Sequence, residues 1–212
     1  MRTKNSTSGQ KLPSVIEQAR RTQIVDCAVE VVAELGWAQA SLARIAERAG
    51  ISKGVISYHF TGKEELFDLL VSQIYGRITE FVVPHLDAQT TVVGRLRARF
   101  CSIAEYLRAH RAEMVALTEV LTNLRDADGT PRYGDSFNEP YYQRLEETFR
   151  AGQESGELRD FDARVMAVTV QAAIDAMVAY ADTHPDHDIT AHAEQLAELF
   201  ERAIARRAEG EA

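Results

Sequence analysis

The chain has 212 residues, 45% of them hydrophobic, which is enough for one large domain or two small domains with a substantial core. It contains no run of eighteen apolar residues and no apolar segment behind its polar N-terminus. We therefore expect neither a transmembrane helix nor a secretory signal, and we expect a cytoplasmic location. The two cysteines, Cys27 and Cys101, lie far apart, which argues against a disulfide scaffold or a cysteine-based zinc site.

The net charge of −8 is unevenly distributed along the chain. Residues 1–63 hold nine basic and five acidic side chains, whereas residues 64–212 hold 15 basic and 27 acidic ones. A basic region attached to an acidic body is expected when one module meets a polyanion and the other does not. The distribution favours nucleic acid as a partner of the N-terminal region, in which residues 1–16 are predicted to be a flexible basic arm.

The first two predicted helices have clear ends. Apolar residues at helical spacing predict a helix from Glu17 to Leu35, which Gly36 ends. A short second helix is predicted to begin after Ser41, whose hydroxyl can cap it, and to end at Gly50.

Two further helix starts follow this glycine. Ser52 can cap a third short helix. Thr61, followed three residues later by Glu64, has the pattern of a capping box that opens a longer fourth helix. Because proline lacks an amide hydrogen, Pro84 predicts a kink or an end of that helix near residues 82–84.

The rest of the chain also has helical periodicity and no strand signals. Residues 126–140, which are rich in Asp, Gly and Pro, predict a long loop. An alanine-rich helix is predicted over residues 163–180, and a final helix is predicted to extend to about Arg207. The chain is therefore expected to be all-α.

The segment 41–60 has the order helix, glycine turn, helix, with apolar residues spaced to fix the angle between the two helices. The second of these helices presents small or polar groups beginning at Lys53, so its N-terminal end could approach base edges. Tyr58, His59 and Lys63 add hydroxyl, imidazole and ammonium groups that suit phosphate oxygens. The segment is predicted to be a helix-turn-helix that docks on DNA.

This region resembles the DNA-binding domain of the TetR family of bacterial transcriptional regulators. The resemblance covers roughly the first third of the chain, and the remainder is similar in layout alone. It lies in the following features: Gly36 with Trp37, Ser41, Ile45 with Ala46, AGIS-KG from Ala49 to Gly54, YHF from Tyr58 to Phe60, and KEEL from Lys63 to Leu66.

The resemblance implies an all-helical homodimer that represses transcription from palindromic operator DNA and is released by a small molecule. Residues 17–63 would be the helix-turn-helix domain, and residues 64–208 would be a helical bundle for effector binding and dimerisation. The fourth helix would transmit the effect of the ligand. At positions that match the family's pattern, the implied DNA contacts are Arg44, Ser52, Lys53, Val55, Ser57, Tyr58, His59 and Lys63.

Side chains in the predicted bundle could line an apolar pocket with a few polar groups, which would suit a hydrophobic or aromatic ligand. The candidates are Phe100, Ile103, Leu117, Thr118, Leu121, Tyr141, Tyr142, Phe149, Gln171, Asp175 and Met177. Small residues in the alanine-rich helix permit close helix approach, so the homodimer is expected to form through the last two helices. Gln171 and Asp175 could instead bond across that interface.

Other kinds of site are less well supported by the sequence. His184, His187 and His192 could in principle hold a metal, but the surrounding THPDHD is typical of a turn, so we expect no metal and no cofactor. Because the common hydrolase, phosphate-loop and dinucleotide motifs do not occur, we do not expect an enzyme. The alternative function is a helical small-molecule sensor or adaptor protein without specific DNA binding. No membrane partner is expected.

Overall fold

A computed structural model describes residues 14–206 of the chain. Residues 1–13 of the predicted flexible arm lie outside the described residues. The last two arm positions, Val15 and Ile16, already belong to the first helix.

Helices account for the described residues almost entirely, which confirms the all-α expectation. Two short 3₁₀ segments, Trp37–Gln39 and Asp135–Asn138, lie between them. The α-helices are α1 (Val15–Leu35), α2 (Leu42–Arg48), α3 (Lys53–His59), α4 (Lys63–Asp87), α5 (Val92–Ala109), α6 (Arg111–Asn123), α7 (Glu139–Glu154), α8 (Ala163–Thr183) and α9 (Ile189–Ile204).

The turns around α2 follow the pattern that was predicted from glycine and serine. Gly36, with φ of 75°, ends α1, and Gly50, with φ of 64°, forms the turn before α3. Both angles are positive, and glycine adopts such angles without a steric penalty. The Ser41 hydroxyl accepts a hydrogen bond from the backbone amide of Arg44 at 3.3 Å and so caps α2.

The start of α4 differs from the predicted capping box. Gly62 is the N-cap residue, and the helix begins at Lys63. Because of this later start, Glu65 rather than Glu64 reaches back to Thr61. Its carboxylate accepts hydrogen bonds from the Thr61 amide at 2.8 Å and from the Thr61 hydroxyl at 2.9 Å.

Two helices do not end where the sequence suggested: of the kink or end predicted near residues 82–84, the end does not occur, and the last helix is shorter than predicted. The α4 helix continues through Pro84 to Asp87. Pro84 lies in the last turn and both it and Glu80 are exposed, so the carbonyl of Glu80 that loses its helical hydrogen bond can be hydrated. The last helix ends at Ile204 rather than near Arg207, a residue outside the described part of the chain.

Two hydrophobic cores are connected by α4. The first, which we call the head core, joins α1, α2, α3 and the first half of α4. It also includes Ala116, Leu117 and Val120 of α6 and Leu124, the residue that follows α6. The second, the body core, is built mainly from α5, α7, α8 and α9, and Ile78 and Phe81 of α4 pack against it. A movement of α4 would therefore change the packing of both cores.

The α8 helix is long and apolar enough to cross a membrane by length and composition, with a mean hydropathy of 1.3 over an 18-residue window. Core helices of other proteins meet the same criterion. Only 33% of that window is buried, although one side of α8 packs in the body core. The other side of α8 is therefore an apolar surface that nothing in the described chain covers.

Two glycines in helices provide a matched test of packing. A Cβ at Gly152 would lie 2.7 Å from Leu158 Cδ1 and 3.1 Å from Val92 Cγ2, whereas a Cβ at Gly76 would meet no atom within 4 Å. We expect Gly152→Ala to lower the free energy of unfolding by about 1–3 kcal/mol through overpacking. Gly76→Ala should raise it by about 0.5–1 kcal/mol. Urea denaturation measures both, and equal effects of the same sign would contradict this packing.

Candidate DNA-binding surface and effector cavity

The position of α3 is fixed by buried apolar residues. Ile45 and Ala46 of α2 and Ile56 of α3 are 0%, 3% and 0% exposed and lie in the head core against α1. The turn at Gly50 connects the two short helices. Because Ile56 points into the head core, the opposite side of α3 faces solvent, where it could dock on DNA.

Four of the predicted DNA contacts lie on this outer side of α3 or at its start. Ser52, Lys53 and Ser57 are exposed, and Tyr58 is 80% exposed. Ser52 is the N-cap residue, but its hydroxyl makes no capping hydrogen bond, and the Ser57 hydroxyl donates to the Lys53 carbonyl at 3.2 Å. Val55 is half-buried. A surface of hydroxyls, one ammonium and one phenol suits phosphate and base-edge contacts.

The side chains of the other three predicted DNA contacts interact with neighbouring residues or are partly buried. The Lys63 ammonium lies 3.9 Å from the centroid of the Trp37 ring, and burial lowers the pKa of Lys63. The Arg44 guanidinium donates to the Gln39 side chain at 2.6 Å. His59 is half-buried, and within the described chain its Nδ1 atom has no hydrogen-bond partner. DNA contact by these side chains would require them to leave or share these positions.

A residue that we had not singled out, Arg21 of α1, holds the end of α3. Its guanidinium donates to the backbone carbonyl of His59 and, at 2.8 Å, to the Glu65 carboxylate. The guanidinium carbon also lies 4.3 Å from the centroid of the Phe60 ring. Since Glu65 belongs to α4, Arg21 connects three helices of the head.

A second arginine, Arg48, stabilises α2 rather than pointing freely into solvent. It donates at 2.9 Å to Glu30 and at 2.9 Å to Glu34, both on α1. Its hydrogen bond with Glu34 also lowers the pKa of that carboxyl. The positive charge of Arg48 is thus compensated within the head.

The body contains a cavity of about 220 Å³ between α4, α5 and α7, closed on one side by α8. Most of its lining is apolar and comes from α4 and α5. The lining residues are Tyr75, Ile78, Thr79, Val82, Val83, Leu86, Asp87, Val92, Arg95, Leu96, Arg99, Ile103, Asn138, Tyr141, Arg144, Leu145, Thr148, Phe149 and Gln171.

Four of the predicted ligand-binding residues line this cavity: Ile103, Tyr141, Phe149 and Gln171. Because they come from three different helices, the fold brings together residues that are distant in sequence. Burial raises the pKa of Tyr141, while the charges of Arg144 and Arg99 act in the opposite direction. The phenol and both guanidinium groups belong to residues that line the same cavity.

The other predicted ligand residues lie elsewhere. Leu117 is buried in the head core and Leu121 packs against it, since α6 belongs to that core. Thr118 lines a separate cavity between α6, α8 and the loop before α9. Phe100 stacks on Phe200, with ring centroids 5.4 Å apart.

The two remaining ligand candidates and Tyr142 have different surroundings. Met177 is fully buried in the body core. Asp175 is exposed on α8 and accepts a hydrogen bond from Gln171 at 2.9 Å. Tyr142 lies under the Arg164 guanidinium, 5.1 Å from ring centroid to guanidinium carbon.

Residues 24–70 match the family model described as bacterial regulatory proteins, tetR family. Residues 24–70 are therefore a DNA-binding region of the TetR-family type. The matched residues run from α1 into the first third of α4 and include the whole helix-turn-helix. This family is one of regulators rather than enzymes.

Sequence similarity to a curated regulator covers less than half of the chain. The HTH-type transcriptional regulator BetI of Yersinia pestis (strain Pestoides F) is 37% identical over 95 residues, which is 44% of this chain and 47% of BetI. The match thus spans about half the length of that curated relative.

Solved structures are similar over most of the chain. The fatty acid degradation regulator FadR from Bacillus halodurans is 25% identical with a TM-score of 0.71, covering 85% of this chain and 93% of FadR. AibR, solved with isovaleryl coenzyme A and operator DNA, is 21% identical with a TM-score of 0.68, covering 85% and 97%. At the latter identity the likeness concerns the fold.

The TetR-type head is also tied to α6, a contact that local sequence patterns could not reveal. The backbone amide of Trp37 donates to the Glu119 carboxylate at 3.0 Å, across 82 residues of sequence.

In the body, our pocket prediction included aromatic and aliphatic residues but missed Arg95, Arg99 and Arg144. Their spacing on amphipathic helices is the same as that of ordinary surface arginines, so no sequence signal distinguishes them.

The C-terminal histidines form contacts with one another and with Tyr180. His187 Nε2 and His192 Nδ1 are 2.9 Å apart, and His184 stacks on Tyr180 with ring centroids 4.0 Å apart. Desolvation and the neighbouring His187 lower the pKa of His192. Between residues 14 and 206, no group of three or more His, Cys, Asp or Glu side chains has metal-site geometry.

Proposed function

We propose that the chain is a homodimeric transcriptional repressor that binds a palindromic operator and is released by a small molecule. The observation that carries the proposal is the outer side of α3, where Lys53, Ser57 and Tyr58 are exposed while Ile56 fixes the helix in the head core. A basic head on an acidic body agrees with it. The protein would act in the cytoplasm, where operator DNA is accessible.

The proposal is tested by binding to DNA from the protein's own promoter region. The comparison is a scrambled duplex of equal length, at 50 mM and 200 mM salt. We expect selective binding to the promoter DNA, and the selectivity should persist at the higher salt concentration because base contacts are less salt-dependent than phosphate contacts. Equal weak binding to both duplexes would instead favour a sensor or adaptor protein.

We place the effector in the cavity of the body because α4 forms one of its walls. Tyr75, Ile78 and Val82 line the cavity, while Phe67 and Leu70, earlier on α4, are buried in the head core. A ligand that displaces the cavity wall would therefore move a helix whose N-terminal half positions α3. Candidates include molecules with an apolar acyl group, since AibR was solved with isovaleryl coenzyme A.

A polar junction would help to transmit this movement. Arg77 of α4 donates to the Glu113 carboxylate of α6 at 3.0 Å, and the Tyr106 hydroxyl of α5 donates to the same carboxylate at 2.6 Å. Arg77 also lies 3.8 Å from the Asp26 carboxylate of α1. One ion-pair network thus joins α1, α4, α5 and α6 at the boundary between head and body.

We propose that the dimer forms through α8 and α9, because both helices expose large apolar side chains to solvent. Val165 and Leu199 are each 62% exposed, and Tyr180 is 45% exposed. Exposed alanines of α8, among them Ala172 and Ala176, would allow the helices of two subunits to approach closely.

Leu199→Glu is expected to shift the protein from dimer to monomer at micromolar concentration. A carboxylate buried in an apolar interface costs several kcal/mol, and the symmetry places two copies in one interface. Sedimentation velocity measures the change. Ile16→Glu is a matched control, because Ile16 is 83% exposed on α1, away from α8 and α9. A dimeric Leu199→Glu variant would contradict the proposed interface.

A further inference from the structure

Three arginines face the proposed effector cavity. Arg95, Arg99 and Arg144 belong to its lining, and Asp87 is the single acid among the lining residues. Arg95 lies 3.3 Å from the Asp87 carboxylate. Among the side chains that the structure describes (residues 14–134 and 136–206), no carboxylate lies within 4.0 Å of the Arg99 or the Arg144 guanidinium. The cavity is thus a positive region inside a strongly acidic body.

The surroundings of Arg99 are unfavourable for an unpaired cation. Burial, together with the charges of Arg144 and Arg95, lowers the pKa of Arg99. Arg99 is half-buried, and withdrawing part of a guanidinium from water without giving it a partner costs free energy that an apolar side chain of similar volume would not. The stability of the fold therefore does not explain an arginine at this position.

The walls beyond the arginines are apolar. Arg95, Arg99 and Ile103 follow one another at four-residue spacing on α5, so one face of this helix changes from charged to apolar along the cavity. Phe149 of α7 lines the same space. A ligand that matches both parts needs a negatively charged group and an apolar group.

We propose that the cavity binds an amphipathic anion, whose carboxylate or phosphate pairs with Arg99 and Arg144 while its apolar part contacts Ile103 and Phe149. Planar guanidinium groups match both kinds of anion with two parallel hydrogen bonds. The positive cavity would also attract such ligands to an otherwise acidic body. The regulatory meaning of this site rests on the proposed function, because the anion would be the effector. Anion binding itself does not depend on DNA.

Calorimetric titration without DNA tests the site. Decanoate, decyl phosphate and decanol share one apolar chain and differ in the head group. We expect at least one of the two anions to bind the wild-type protein about tenfold or more tightly than decanol, and the better anion identifies the preferred head group. Arg99→Met should abolish this preference. Arg150→Met, which removes an exposed guanidinium paired with Glu146 on the same helix as Arg144, should retain it.

Two results would overturn the proposal: decanol binding as tightly as both anions, or Arg99→Met leaving the anion preference unchanged. Stability of the ligand-free protein provides a second test. Because Arg99 is unpaired, Arg99→Met should raise the melting temperature by about 2–4 °C. A lower melting temperature would show that Arg99 stabilises the fold, which contradicts a role reserved for ligand.

The design separates this inference from the proposed function. If the anions bind but do not release promoter DNA, the site is supported and ligand-controlled repression is contradicted. If promoter DNA is bound selectively but neither anion binds more tightly than decanol, the repressor is supported and the anion site is contradicted.

Discussion

Replacing Arg21 with alanine is expected to lower the free energy of unfolding by about 2 kcal/mol and to weaken promoter DNA binding by about tenfold or more. Arg21 is 22% exposed and bonds both the His59 carbonyl and the Glu65 carboxylate. Alanine would remove these bonds and the contact with the Phe60 ring. The C-terminal end of α3 would lose its attachment to α1, so the outer side of α3 would no longer be held in one orientation.

Arg20→Ala is the matched control for this prediction. Arg20 is the neighbouring residue, carries the same charge and is exposed, and its guanidinium contacts only the Gln23 side chain, at 2.6 Å, within the described chain. Its removal should change stability by less than about 0.5 kcal/mol. Urea denaturation and fluorescence anisotropy with labelled promoter DNA measure the two effects. Equal losses of stability in both variants would contradict the role assigned to Arg21.

Lys53→Glu is expected to weaken promoter DNA binding by about 100-fold at low salt, because a homodimer loses two phosphate contacts of about 1.4 kcal/mol each. Lys53 is exposed at the start of α3, and no carboxylate in residues 14–206 forms a salt bridge with it. The slope of log K against log salt should become shallower by about 2 units. Stability should change little, since the side chain makes no contact in the core.

Arg202→Glu changes the net charge of each subunit by the same amount and serves as the control. Arg202 is 82% exposed near the end of α9, far along the chain from the head. Its replacement should leave promoter DNA affinity within about threefold of the wild type, because charges beyond a Debye length are screened. If both variants weaken binding equally, net charge rather than α3 determines affinity, and the assigned DNA surface is wrong.

Local signals were sufficient to predict the helices of the head. The stop at Gly36 and the cap at Ser41 depend on residues within one helical turn, and both are present in the structure. The start of α4 was predicted one residue too early because Thr61 and Glu64 have the spacing of a capping box, whereas in the structure the carboxylate of Glu65, four residues on, bonds Thr61. Only the three-dimensional position of Arg21, which pairs with Glu65, distinguishes these two carboxylates.

Packing between distant elements could not be predicted in the same way. The helical period of the sequence around α6 gives no information on which surface its apolar side meets. Leu117 therefore entered our list of ligand residues, although it is buried in the head core. Conversely, Arg99 has the spacing of a surface residue and yet faces the cavity. A helical period predicts which side is inward, whereas the partner depends on the tertiary fold.

Hydroxyl-radical footprinting on the promoter region tests the central claim most directly, because it detects both reading heads in one measurement. A dimer that presents two copies of α3 should protect two half-sites on one face of the duplex, about 34 Å or slightly more between centres, related by a dyad in the DNA sequence. A single protected patch without a dyad, or no protection at concentrations that saturate binding, would contradict a homodimeric repressor that reads a palindromic operator.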